Sequence, residues 1–182
     1  LFARARDAGL AAVPHAGEDA GASSVREAVE LLGAHRIRHG FRAVEDPQLL
    51  RELTERGIVL DLCPTSNLRT RVSETWAAHP FHELLASGVG LTVNTDDPAM
   101  FGTDLGEEHT LARAAGADPR QLFDWGVAGQ AGGDTIAETL TTIASGYWGA
   151  GRSPRTAGAS RSSSSTAPAA PTVSAVDLEA TR

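Results

Sequence analysis

A single cysteine, Cys63, stands in 182 residues. One thiol excludes any intrachain disulfide and fits a reducing compartment, so a cytoplasmic protein is expected. Basic residues are in the minority: 16 Lys and Arg against 23 Asp and Glu give a formal net charge of −7. That balance excludes a nucleic acid held through its phosphates, which requires a basic face, and offers an anionic membrane surface no polybasic footing. No apolar run approaches the roughly 20 residues of a membrane span. An initiator methionine is lacking too. The chain opens on Leu1-Phe2-Ala3-Arg4-Ala5-Arg6, which reads as a helix already under way. The true start is therefore expected upstream, and the lack of a signal peptide carries no weight. No glycine-rich phosphate loop follows any apolar run, so a dinucleotide-binding fold has no support.

What is there is one repeated unit. The apolar fraction, 41%, is ordinary for a globular domain. As far as about Leu122, short apolar runs end in polar residues and lead into capped amphipathic helices. The first run, Leu10 to Val13, ends at Pro14-His15-Ala16-Gly17-Glu18. Its helix is expected to start at Ser24, with Glu27 completing a capping box and Val25, Ala28, Val29 and Leu32 as the buried stripe. The second run, around Ile37, ends at His39-Gly40; Asp46-Pro47 then opens a helix striped by Leu49, Leu50 and Leu53 and stopped by Gly57. The third run is Ile58 to Cys63. A helix from His79-Pro80, with Leu84, Leu85 and Ala86 apolar and Gly88 as its stop, leads to the fourth run, Val89 to Asn94, which ends at Thr95-Asp96-Asp97-Pro98. Asp118-Pro119 opens another helix.

The division expected is a partial barrel over residues 1–122, a divergent and partly helical segment over 123–148, and a low-complexity disordered tail over 149–182. In the middle segment Ile136, Leu140 and Ile143 are spaced for one helical face, but Gly126, Gly129, Gly132 and Gly133 break any longer element. The tail, with Ser162 to Ser165 at its centre, cannot bury enough apolar area to offset its chain entropy.

Strands alternating with helices make βαβ units and a parallel sheet, and the nearly continuous apolar runs fit strands covered on both faces. Polar residues at the C-terminal ends of several strands are the (β/α)8 pattern. The expected fold is therefore α/β, about four βα units forming the C-terminal half of a TIM barrel. Strands of one parallel sheet share one C-terminal edge, which brings His15, Glu18, His39, Cys63 to Asn67, and Asp96-Asp97 towards one pocket. An imidazole and a carboxylate suit zinc; a second histidine and acid suit proton transfer. Each residue alone has a bland reading. His15 is by default a hydrogen-bonded or surface histidine, Glu18 a solvated acid, His39 a turn residue, and Asp96-Asp97-Pro98 an N-cap and turn. Cys63 reads as a small buried hydrophobe. His35, His79, His82 and His109, placed in helices or at their starts, read as structural. The functional case rests on joint placement.

Pro14-His15-Ala16-Gly17-Glu18, Arg36-Ile37-Arg38-His39-Gly40, Cys63-Pro64-Thr65-Ser66-Asn67 and Asn94-Thr95-Asp96-Asp97-Pro98, in that order, resemble the adenosine deaminase family of the amidohydrolase superfamily. The resemblance covers about Leu1 to Leu122. It implies a barrel with one catalytic Zn2+, with His15 and Asp96 as metal ligands. Glu18 would protonate purine N1, His39 would orient and deprotonate the attacking water, and Asp97 and Gly17 would contact the substrate. The implied reaction is hydrolytic deamination of a 6-aminopurine nucleoside, adenosine to inosine and ammonia. Aminodeoxyfutalosine or adenine is the alternative substrate, Met100 to Leu105 resembling the aminodeoxyfutalosine group. Three departures stand out. The family's His-x-His, which brings two more zinc ligands, is missing from this chain; Arg38 stands where the family has glycine; and the family's closing helices match nothing after Asp124. An inactive, N-terminally truncated fragment is thus expected, and a non-catalytic half-barrel remnant is the rival of another class.

Overall fold

The computed structural model describes residues 1–149, so the tail expected over 149–182 lies, apart from Gly149, outside the described residues. Four parallel strands, β1 (His15–Ala16), β2 (Arg36–His39), β3 (Val59–Leu62) and β4 (Gly90–Val93), pair in sequence order. Helix α1 (Phe2–Asp7) precedes them. The connections carry α2 (Ala22–Glu30), α3 (Pro47–Glu55), α4 (Pro64–Arg69) and α5 (Phe81–Ser87). After β4 come α6 (Pro98–Phe101), α7 (Leu105–Ala114), α8 (Pro119–Ala128) and α9 (Asp134–Trp148). This is the expected run of βα units, and it amounts to half a barrel.

The register sets one row across the sheet, His15 beside Arg38, Arg38 beside Asp61, Asp61 beside Thr92. Alternation then gives the sheet two unlike faces. Ile37, Leu60, Leu62, Leu91 and Val93 join the apolar core with Val25 and Val29 of α2, Leu49 and Leu53 of α3, and Leu84 of α5. Burying each such side chain is worth about 1.5–3 kcal/mol. The opposite face is polar. Arg36 donates to Asp61 and to Thr92 Oγ1 (3.1 Å), and the Thr92 hydroxyl donates to Asp61 Oδ1 (2.7 Å). Helix α8 packs closely here: Arg36 Nη1 donates to Gly126 O (3.4 Å), and a Cβ on Gly129 would lie 2.5 Å from Val59 Cγ2.

Local chemistry explains most boundaries. Asp46 caps α3 by accepting from Gln48 N and Leu49 N, Asp118 caps α8 by accepting from Arg120 N, and Gly88 closes α5 at φ 79°. Four expectations need correction. The first strand lies past its apolar run, at His15–Ala16: β1 is at the sheet edge and Pro14 has no N–H to give, although Ala12 O and Pro14 O still accept from His35 N and Arg38 N. Helix α2 starts at Ala22 with Gly21 as N-cap, so Ser24 lies inside its first turn and does not cap it; the Glu45 carboxylate accepts from Ala22 N at 3.2 Å. Helix α8 runs straight through Gly126, whose missing side chain allows the close approach to Thr92. His35 lies before β2 rather than in a helix or at the start of one.

Candidate active site

The loop after β1 places Glu18. Gly17 sits at φ 64°, and a Cβ there would meet Val25 Cγ2 and lie 3.1 Å from Gly40 Cα, so only glycine fits. Its N–H donates to Ser24 Oγ (2.8 Å) and its carbonyl accepts from Arg42 N (3.1 Å). Ser24 is thus spent on this loop rather than on the helix cap. The pinned turn brings Glu18 Oε2 to 3.4 Å from His39 Nε2.

His39 ends β2 in the left-handed region, φ 60°, and Asp96, after β4, shares that conformation at φ 59°. Such backbone costs a non-glycine residue on the order of 1–3 kcal/mol and persists where surrounding contacts enforce it. For Asp96 one such contact is the Ser66 hydroxyl, which donates to Oδ2 at 2.7 Å. The same Oδ2 lies 3.9 Å from His39 Nε2.

Glu18, His39 and Asp96 therefore each offer one ligand atom within 4.8 Å of one another, although they come from three separate strand ends. The His15 ring lies 5.5 Å, centroid to centroid, from that of His39. Two carboxylate oxygens and one imidazole nitrogen at this spacing could hold a single metal ion; His15 is not among these three, and the Ser66 hydroxyl supports the Asp96 carboxylate. Asp97 is exposed and its Oδ1 accepts from Met100 N (3.0 Å), capping α6.

His39 is 1% exposed, and burial lowers its pKa from the ordinary imidazole value. Glu18 and Asp96 oppose that shift; His15 and, least, Arg38 reinforce it. Arg38, the cation standing where the family that the sequence resembles has glycine, is the smallest of these causes. Cys63 is buried and its thiol is pushed up to about 12, mainly by burial, which keeps it protonated and unreactive.

Behind His39 lies a second layer that reading the sequence missed. Asn67 Nδ2 is 3.3 Å from His39 Nδ1, and Asn67 Oδ1 is 3.2 Å from His79 Nε2. All three residues are buried. The Cys63 to Asn67 motif at a strand end was the available signal for Ser66 and Asn67. His79, before α5, carried none beyond a helix-start pattern.

With the geometry fixed, the chain can be set beside known proteins. The family described as Adenosine deaminase matches residues 1–132, past Asp124, where the resemblance in the sequence was expected to end. An aminodeoxyfutalosine deaminase of Acidothermus cellulolyticus is 48% identical over 149 residues, covering 78% of this chain and 42% of the relative. An adenosine deaminase of Erwinia tasmaniensis is 48% identical over 122 residues, covering 66% of this chain and 37% of the relative. An amidohydrolase from Burkholderia ambifaria, solved with bound Zn, superposes with a TM-score of 0.74 at 28% identity, covering 81% of this chain and 43% of that one. The chain thus spans less than half the length of each of these three.

Proposed function

The chain belongs to the adenosine deaminase family, and from that premise we propose that its site serves zinc-dependent hydrolytic deamination of a 6-aminopurine compound, as one half of a (β/α)8 barrel. The observation that carries the reading is the convergence of Glu18, His39 and Asp96 within 4.8 Å from three strand ends. His15 and Asp96 are the proposed metal ligands. Bound there, zinc would supply Lewis-acid activation of water near neutral pH. Glu18 gives its proton to ring N1, which makes C6 electrophilic, and His39 holds the attacking oxygen over that carbon. Water adds at C6; one of its protons leaves on the amino group as ammonia, the other returns to Glu18, and a 6-oxopurine protonated on N1 remains. Gly17 lets the loop approach the purine closely, and Asp97, with Oδ1 on the cap of α6, presents its other oxygen to N7.

The chain has no His-x-His, and its described residues form four strands, so the isolated 182-residue chain is expected to show no measurable turnover. The test joins it to the N-terminal half of a relative that carries His-x-His. Ammonia release from adenosine and from aminodeoxyfutalosine is then measured beside zinc content. The two relatives at 48% identity support both substrates, and the ratio of kcat/KM values decides between them. Glu18→Gln should abolish turnover and keep zinc; His15→Ala should lose both. Full activity in Glu18→Gln removes Glu18 as the acid. Because Glu18 lies inside the tight donor set, loss of zinc in that variant would make it a ligand instead.

A further inference from the structure

We propose that His79 and Asn67 are positioning residues that fix, from the buried side, which ring nitrogen of His39 carries the proton. The inference starts at the closed end of the chain of contacts. His79 sits in an aromatic niche, its ring 5.3 Å from Phe41, 5.4 Å from Trp76 and 6.4 Å from Phe81. Its Nδ1 is buried and has no hydrogen-bond partner among the described residues. A neutral imidazole has one N–H and one bare nitrogen. An orphaned buried N–H forfeits a bond it cannot replace, about 1–3 kcal/mol, whereas orphaned acceptors are more readily tolerated. The proton of His79 therefore belongs on Nε2, where it donates to Asn67 Oδ1 at 3.2 Å.

That donation orients the amide. With Oδ1 committed to His79, the Asn67 NH2 group must face His39, and it donates to His39 Nδ1 at 3.3 Å. His39 Nδ1 is then an acceptor, so the ring's single proton resides on Nε2. Nε2 is the atom 3.4 Å from Glu18 Oε2 and 3.9 Å from Asp96 Oδ2. The direction of the whole chain, His79 to Asn67 to His39 to the carboxylates, is set by the one nitrogen that has no partner. His39 thereby presents an N–H to whatever oxygen occupies the site. The consequence for turnover rests on the deaminase reading above; the proton's position does not.

The experiment uses the metal-free 182-residue chain labelled with 15N-histidine, and long-range 1H–15N spectra that report each ring nitrogen as protonated or bare. The expected result is Nδ1 bare and Nε2 protonated on both His39 and His79. His79→Phe keeps the aromatic niche and removes the donor; Asn67 is then free to turn, and His39 should show both tautomers. His79→Gln restores a donor and should restore the single Nε2–H form. Asn67→Asp replaces the donor facing His39 with an acceptor and should move the proton to Nδ1. Backbone amide spectra verify that each variant is folded; if Asn67→Asp is not, the wild-type and His79 spectra still decide. A wild-type His39 protonated on Nδ1, or His39 signals unchanged in His79→Phe, overturns the proposal. In the reconstituted barrel, His79→Phe should lower kcat at unchanged KM, with rescue by His79→Gln. A barrel inactive on every purine would sink the deaminase reading while leaving the spectra standing.

Discussion

On the helix-covered side of the sheet, side chains sit where local sequence rules place them. Asp46 caps α3, Leu49, Leu50 and Leu53 form its buried stripe, and the strand residues Leu60 and Leu91 meet them fully buried. At the strand ends the same chain breaks those rules. Ser24 forgoes the cap of α2 to hold Gly17, and His39 and Asp96 adopt backbone that suits glycine. A buried histidine faces two carboxylates. The difference teaches that local inconsistency marks the site: these departures are destabilising alone and make sense only as parts of one constellation.

The most direct way to break the comparison is to damage the consistent side. Leu60→Ala empties a fully buried position on a strand paired on both sides. It should cost about 2–5 kcal/mol, read from denaturant midpoints. A loss under about 1 kcal/mol would mean that this layer yields as freely as the rim.

His79 sharpens the contrast through pH. Burial lowers its pKa from 6.5 to about 4. The unfolded chain therefore takes up the proton first as pH falls. The native state keeps the full benefit above about pH 6.5 and loses it progressively towards pH 4, on the order of 2–3 kcal/mol in all. Stability measured across that window should fall more steeply for the wild-type chain than for His79→Gln. Parallel slopes would place His79 in contact with water.

Much of this was legible in the sequence. Three of the four strands overlap their apolar runs, while β1 falls just past its own; the caps at Asp46 and Asp118 were readable because they depend on neighbours two or three residues away. The polar strand ends were readable because a parallel sheet aligns its C-terminal edges. What failed were pairings between distant segments. Nothing near Ser24 announces that Gly17 will claim its hydroxyl, and nothing near His79 announces Asn67, twelve residues away. Gly126 looked like a break because its reason, contact with Thr92, lies in another strand, whereas Gly129 does end α8 as expected.

A paired substitution separates the two kinds of cap residue. Asp46→Ala should cost about 1 kcal/mol and shorten α3 at its start, visible in amide exchange of Gln48 and Leu49. Ser24→Ala should leave α2 intact, since the hydroxyl accepts from Gly17 N and not from the first turn of the helix. Its effect should appear as faster exchange of the Gly17 amide. Fraying of α2 in Ser24→Ala would restore the ordinary capping role.

The smallest effect expected is a gain. Asp96 holds φ 59° and places a second carboxylate beside His39, 3.9 Å from its Nε2. Asparagine enters the left-handed region more readily than most residues and keeps an oxygen for the Ser66 hydroxyl, so Asp96→Asn retains the contact at 2.7 Å. It also removes one of the two carboxylates, Glu18 and Asp96, that converge on His39. Because burial lowers the pKa of His39 and so disfavours its cation, the ion pair lost in exchange is weak. In metal-free protein Asp96→Asn should therefore raise stability by about 0.5–1 kcal/mol, while zinc binding in the reconstituted barrel falls away. A loss of stability in the metal-free chain would show that the carboxylate at position 96 is held there for the fold, and the rim would then be as self-consistent as the core beneath it.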